Sequence, residues 1–132
     1  MKDNDTRVVL GTVGEFRMVG INMSSMTDDL PEDAYVVLPI KNAINLATKI
    51  AAKWELTPSQ QVDILKENDL QKITDILKIE MYLDVLFPNQ RLKFIRNENH
   101  HFSDMRVVDY MFKHGTKEVV NYLAHHVFNG GW

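Results

Sequence analysis

Residues 69–88 read DLQKITDILKIEMYLDVLFP, and this stretch decides the fold class. Its apolar side chains recur every three or four residues, the spacing that places them on one face of an α-helix. Asp69 is suited to accept hydrogen bonds from the first free backbone N–H groups, and Pro88 cannot continue a helix. The stretch therefore predicts a long helix between these two residues, with an apolar stripe of Leu70, Ile73, Ile76, Leu77, Met81, Leu83 and Leu86.

Helical spacing continues on both sides of this stretch. Upstream, a first helix is predicted from Pro39 to about Glu55, and Thr57 with Gln60 forms a capping box that opens a short helix from Pro58 to about Lys66. Downstream, the sequence predicts a short helix over 89–96, a helix opened by Ser103 or Asp104 and closed by Gly115, and a last helix opened by Thr116. We expect an all-α protein, a compact bundle of five to six helices with an irregular or partly β N-terminal arm.

The first 38 residues have a different pattern. Two short strand-like runs, Val8–Leu10 and Phe16–Val19, are separated by glycines and followed by a polar loop. A loose hairpin and partial disorder both fit this pattern. We therefore divide the chain into an extended or partly disordered arm at 1–38, a shortened helix-turn-helix-like and dimerisation region at 39–87, and a C-terminal region at 88–132.

Composition excludes several classes of protein. The 132 residues are 45% hydrophobic and 25% charged, as in ordinary globular domains. There is no cysteine, which excludes disulfides and thiolate zinc sites. No apolar run approaches the ~20 residues of a membrane span, and residues 1–5 do not resemble a signal peptide. The expected location is the cytoplasm, with no membrane association.

Charge does not favour a dedicated DNA-binding protein. Residues 1–38 carry three basic and seven acidic residues, and residues 39–132 carry twelve basic and eleven acidic ones. A duplex binder usually presents a strongly basic face. Composition alone therefore gives no support for nucleic-acid binding.

The histidines and Ser103 are candidates for a chemical site. His100–His101 and His125–His126 are adjacent pairs that could suggest a metal site. Neighbouring residues of a helix point about 100° apart, so His125 and His126 cannot easily face one ion, and no predicted helix has His-x-x-x-His or Glu-x-x-His spacing. Ser103 lies near His101 and Asp104, but Ser103–Asp104 is predicted to start a helix. We therefore predict no metal, no cofactor and no catalytic residue, and a protein that is not an enzyme.

A series of features from residue 46 onward resembles a known family. In order, they are WELT at 54–57, a short helix, the long helix at 70–86, LFP at 86–88, NENHHF at 97–102, a helix that ends at Gly115, and GGW at 130–132. This order is similar to that of antitoxins of the Xre/MbcA/ParS class with their C-terminal toxin-binding domain. The resemblance covers about two thirds of the chain, and the part from LFP to GGW is its most specific section.

The resemblance implies a type II toxin–antitoxin system. Such proteins bind and neutralise a RES-type, NAD-consuming toxin by covering its active site, often act as homodimers, and often repress their own operon. The alternatives are a DNA-binding autorepressor and an orphan regulatory interaction module. Between Lys66 and Asp69 there is no room for the family's recognition helix, which puts direct DNA binding in doubt.

Two sets of contact residues follow from these interpretations. The stripe on the first helix is expected to form the homodimer, because the body looks too small to cover it, through Ile44, Ala47, Ile50 and Trp54. The toxin is expected to contact the segment around NENHHF and the tail, where two glycines present an aromatic ring. These partner-binding residues are Asn99, Phe102, Asn129, Gly130, Gly131 and Trp132. For Trp132, the alternative is that the ring folds back onto the core.

Overall fold

The structure, a computed structural model, describes residues 6–18, 30–65 and 69–129, and for residues 17 and 18 only the backbone. The described chain is mostly helical, with a two-stranded antiparallel sheet near its N-terminus. Seven α-helices occur in these ranges, where five to six were expected, and the additional one lies in the predicted arm. They are α1 (Val13–Met18), α2 (Ile40–Lys53), α3 (Pro58–Leu65), α4 (Leu70–Leu86), α5 (Arg91–Arg96), α6 (Val107–His114) and α7 (Lys117–Phe128).

Helix α4 is the central element, as its sequence predicts. The Asp69 carboxylate accepts hydrogen bonds from the backbone N–H groups of Gln71 and Lys72, and the helix ends at Leu86, two residues before Pro88. The helix packs on α2 and α7. It is buried on more than one stripe, because Ile79 and Tyr82 are covered as well as the predicted apolar face, whereas Leu70 is 40% exposed.

The start of α3 confirms the capping box. The backbone N–H of Thr57 donates to the side chain of Gln60 over 3.0 Å, and the backbone N–H of Gln60 donates to the Thr57 hydroxyl over 3.1 Å. This reciprocal pair satisfies two N–H groups that the helix itself cannot bond. Helix α3 is described as far as Leu65, so the predicted end at Lys66 lies outside the described residues.

The described part of the predicted arm packs onto the helices. Strands β1 (Arg7–Thr12) and β2 (Tyr35–Pro39) pair antiparallel, with Val8 opposite Leu38 and Val9 opposite Val37. The alternate residues Val8 and Leu10 are buried with Phe16 of α1, in the same core cluster as the helices. The sequence predicted the partly β character, but the second strand-like run, Phe16–Val19, was wrong, because its described residues belong to helix α1 and β1 pairs with β2 instead. The burial was not predicted, because the partner surface on α2 and α4 is distant in the chain.

The core joins side chains from all three described ranges. Its largest fully covered members include Trp54, Phe102 and Ile73, each with an exposed fraction of 1% or less. Two polar side chains are also buried, those of Asp75 on α4 and Thr116 before α7. None of the helices in the described ranges has both the length and the apolar character needed to cross a membrane.

Candidate partner-binding surface

The segment between α5 and α6 is a small hairpin. Strands β3 (Glu98–Asn99) and β4 (Met105–Arg106) pair antiparallel, and a 3-10 turn at His100–Phe102 connects them. Ser103 and Asp104 follow this turn with φ values of 60° and 62°. These left-handed conformations return the chain into β4. The prediction that one of these two residues caps α6 is therefore wrong, since α6 begins later, at Val107.

Asn99 holds the hairpin in shape. Its side-chain oxygen accepts a hydrogen bond from the backbone N–H of His101 over 2.9 Å, and its backbone carbonyl accepts one from Asp104 over 3.1 Å. Short polar side chains beside a turn commonly bond the backbone in this way. Asn99 is half-buried, and its side-chain oxygen is engaged within the turn. Asn99 therefore stabilises the hairpin that forms this surface.

Phe102 supports the surface from beneath. Its side chain is fully buried, and its ring centre lies 5.1 Å from that of Tyr110 and 5.2 Å from that of Tyr122. Phe102 is therefore a core residue beneath the hairpin. The same burial means that Phe102 presents no side-chain surface to a partner, and this corrects its assignment as a direct contact. Of the rings that Phe102 contacts, Tyr110 is buried, Tyr122 is half-buried and His101 is exposed.

Tyr122 on α7 is the centre of an aromatic group at the surface. Its ring centre lies 4.4 Å from His101, 4.7 Å from His126 and 6.4 Å from Phe94. Aromatic rings at these separations attract one another and restrict one another's rotation. Burial raises the pKa of the Tyr122 hydroxyl above its usual value, so that the group stays neutral well into the alkaline range. Tyr122 is half-buried, and His101 is exposed.

An open depression of ≈ 400 Å³ lies over this aromatic group. We refer to it as the α7 depression. On α7, the residues that line it follow three- and four-residue spacings, which is the pattern of one helix face. Its lining combines aromatic rings, one carboxylate and one amide, contributed by His101, Glu118, Asn121, Tyr122, His125 and His126.

No protein-family model matches the chain, and no curated protein or solved structure does.

Sequence reasoning missed most of the α7 depression. In the sequence, His125 and His126 stand out only as a possible metal site, and no motif singles out Tyr122 or Asn121. The spacing of Glu118, Asn121, Tyr122 and His125 was a usable signal, because it places four polar or amphipathic residues on one side of α7. What the sequence could not show is that His101 lies against that side.

The histidines make local contacts. Nδ1 of His100 lies 3.1 Å from a carboxylate oxygen of Asp104, and Nδ1 of His125 lies 3.2 Å from the side-chain nitrogen of Asn129. Within 6–18, 30–65 and 69–129, no three His, Cys, Asp or Glu side chains are grouped as a metal ion would require.

The tail begins at the rim of the α7 depression. Asn129 follows the last residue of α7 and is exposed, and its backbone N–H donates to the carbonyl of His125 over 3.0 Å. The side chain of Asn129 also contacts His125, which lines the depression, although Asn129 is not itself a lining residue. The three remaining predicted contacts, Gly130, Gly131 and Trp132, lie outside the described residues.

The predicted dimer stripe is covered by the chain itself. Ala47 and Trp54 have exposed fractions of 0% and 1%, and Ile50 is buried with them, whereas Ile44 is half-buried. Helix α4 and strand β1 pack on α2 and account for this burial. The premise that the body is too small to cover the stripe is therefore wrong. Ala47, Ile50 and Trp54 do not form an outer surface on which a second copy could dock.

The solvent face of α2 is positively charged. Lys41, Lys49 and Lys53 are exposed and are separated by eight and four residues, so they lie on one side of the helix. The sequence of α2, IKNAINLATKIAAK, contains no carboxylate. Such a face suits contacts with phosphate groups.

Proposed function

We propose that the protein is an antitoxin that acts in the cytoplasm and neutralises a cognate RES-type, NAD-consuming toxin by covering its active site. The α7 depression is the observation that carries the proposal. It places half-buried and exposed rings around Tyr122, next to the residue from which the tail continues. In this account the protein works through an interface and does not itself catalyse a reaction.

The physical character of the α7 depression supports a protein partner. Tyrosine supplies a large contact area with few rotatable bonds, and such residues often dominate the energy of an interface. Tyr122 is packed on both the buried Phe102 and the exposed His101, so little side-chain entropy remains to be lost when a partner binds. Asn121 and His125 add groups that form hydrogen bonds at the rim.

The depression also carries an anionic group suited to this class of target. Glu118 is exposed and lines the depression beside the aromatic rings and the Asn121 amide. An active site that binds NAD must hold phosphates, and it does so with cationic side chains or backbone N–H groups. The carboxylate of Glu118 is complementary to such a site. The tail that follows Asn129 would extend the covered area, with Trp132 as its anchoring ring.

A second candidate function rests on the lysine face of α2. Lys41, Lys49 and Lys53 would contact DNA phosphates if the protein also represses its own operon. Sequence-selective repression needs, in addition, an element that reaches base edges in a groove. We therefore place DNA contact second, and we expect it to be largely independent of sequence.

The direct test is reconstitution with the enzyme encoded in the neighbouring open reading frame. If that enzyme is a RES-type toxin, the two proteins should co-purify, and adding the antitoxin should stop NAD consumption at a fixed stoichiometry. The control is the same assay with a RES-type toxin from an unrelated operon, which should stay active. An adjacent toxin that keeps its full activity at saturating antitoxin would overturn the proposal.

A further inference from the structure

Strand β2 forms one edge of the two-stranded N-terminal sheet, and β1 forms the other. Strand β1 packs against α4 and α2, and β2 pairs antiparallel with β1. The backbone N–H of Ile40 donates to the carbonyl of Thr6 over 3.0 Å, and that of Val13 donates to the carbonyl of Ala34 over 2.8 Å. Residues 34 and 40 therefore direct their backbone groups towards β1.

Every second residue between them, namely 35, 37 and 39, must direct its backbone groups the other way. In an antiparallel sheet, the N–H and C=O groups of one residue point to the same neighbour, and the direction alternates along the strand. Tyr35 and Val37 therefore turn an N–H and a C=O to the open edge, and Pro39 turns only a C=O. Among the described residues, none forms a hydrogen bond with these groups.

The side chains at this edge are apolar and exposed. Tyr35 is 67% exposed and Val37 is 44% exposed, and Val37 faces Val9 of β1, which is 46% exposed. Free backbone groups with β-branched and aromatic side chains form a template for another strand. Proteins use such edges to add a strand from a partner.

We propose that the partner is a second copy of this chain, which adds its own β2 antiparallel across a two-fold axis at Val37. The N–H of Val37 in each copy then donates to the carbonyl of Val37 in the other, and Tyr35 donates to the carbonyl of Pro39. The two sheets become one continuous sheet. A register with Pro39 on the axis is excluded, because proline has no N–H for the central pair.

Charge favours a second copy over a different protein. Asp33 precedes Val37 by four residues, and Lys41 follows it by four residues. Both are exposed. Asp33 lies in the turn before β2 and Lys41 in the first turn of α2, so an antiparallel copy brings the acidic end of one β2 towards the basic end of the other, and symmetry repeats this approach on the other side. In a two-fold symmetric dimer the same surface of each copy contacts that of the other, so the surface must be complementary to itself.

This surface replaces the buried stripe of α2 as the site of a homodimer. It does not depend on the proposed toxin, because the dimer should form in the isolated protein. Its failure would leave the antitoxin proposal unaffected.

Single-cysteine variants test the register, since the chain has no cysteine of its own. Val37→Cys should form a disulfide-linked dimer under mild oxidation, because Cα atoms of a hydrogen-bonded antiparallel pair are about 5.5 Å apart, within the range for disulfides. Val9→Cys is the matched control. Its exposure is similar, but in the dimer the two copies lie three strand spacings apart, about 14 Å. Equal crosslinking of both variants, or none for Val37→Cys, would overturn the proposal.

Charge reversal tests the choice of partner. In sedimentation experiments at low salt, Lys41→Glu should raise the dimer dissociation constant several-fold, and the double variant Asp33→Lys with Lys41→Glu should restore it. Circular dichroism of each variant checks that the fold is unchanged. A double variant that dissociates as readily as the single variant, or a wild-type protein that remains monomeric at high micromolar concentration, would contradict a second copy at this edge.

Discussion

The hydroxyl of Thr116 donates a hydrogen bond of 2.9 Å to the carboxylate of Asp75 and so joins the start of α7 to α4. Both side chains are buried. The other carboxylate oxygen of Asp75 accepts from the side-chain amide of Gln71 over 2.8 Å. Thr116 was predicted to cap α7, but its side chain makes no cap hydrogen bond because it is engaged with Asp75. This contact fixes the position from which α7 presents its depression.

Removing this contact should destabilise the fold. Thr116→Val keeps the shape of the side chain but leaves one oxygen of a buried carboxylate without its donor, and we expect a loss of about 1–3 kcal/mol in the free energy of unfolding. Thr48→Val is the matched control, because Thr48 is exposed and its hydroxyl bonds only to the carbonyl of Ile44 within α2. Urea unfolding measures both. Equal, small losses for the two variants would mean that the Asp75 contact does not stabilise the protein.

Alanine substitutions of Phe102 and His100 should differ sharply in their effect on stability, although both residues belong to one turn. Phe102→Ala removes a fully buried ring and should cost about 3 kcal/mol or more. His100→Ala should cost little, because the His100 side chain is 97% exposed and its contact with Asp104 lies in solvent. Thermal and urea unfolding at pH 7 give the comparison. Similar losses for both variants would contradict the burial of Phe102.

Contact with DNA should be weak and dependent on salt. Nonspecific binding at physiological salt typically has dissociation constants of about 10⁻⁴ to 10⁻⁶ M, and its salt dependence grows with the number of phosphates contacted. Replacing Lys41, Lys49 and Lys53 together by Gln should reduce that dependence. The matched control replaces three exposed lysines elsewhere by Gln, and it should reduce the salt dependence of binding less. These lysines are Lys93, Lys113 and Lys117. Nanomolar, sequence-selective binding by the wild-type protein would overturn this prediction.

Local rules predicted the local structure. The Asp69 cap and the Thr57–Gln60 capping box each join residues within a few positions, and both are confirmed. The hydrogen bond between Asp75 and Thr116 joins residues that are 41 positions apart, so no local pattern predicts it. The left-handed backbone conformation of Ser103 and Asp104 could not be predicted either, because a polar pair before an apolar run fits a helix cap as well as a turn.

Local patterns also could not predict which helix faces are covered by residues that are distant in the sequence. The face of α7 could have been recognised from its own spacing, but the position of His101 against Tyr122 depends on how the hairpin at 98–106 folds. The stripe of α2 has the right period for an interface and for a core alike. Only the placement of β1 and α4 decides that Ala47 and Trp54 are core residues.

The tail should contribute to binding and not to folding. Removing residues 130–132 of the sequence should leave the melting temperature nearly unchanged and weaken inhibition of the toxin, because Trp132 is proposed to anchor in the partner. Trp132→Ala, which keeps both glycines, separates the contribution of the ring from that of the backbone. A shortened protein that melts early would instead indicate that the ring packs on the core. A shortened protein that inhibits at full strength would show that the tail is not part of the interface.

The most direct test of the central claim, that the α7 depression binds the toxin, is a calorimetric titration of the toxin with two arginine variants. Asn121→Arg places a bulky charge in the depression, and Asn45→Arg places the same charge on the exposed face of α2. The account predicts at least about tenfold weaker binding for Asn121→Arg, equivalent to about 1.4 kcal/mol, and unchanged binding for Asn45→Arg. Wild-type affinity for Asn121→Arg, or equal weakening of both folded variants, would contradict it.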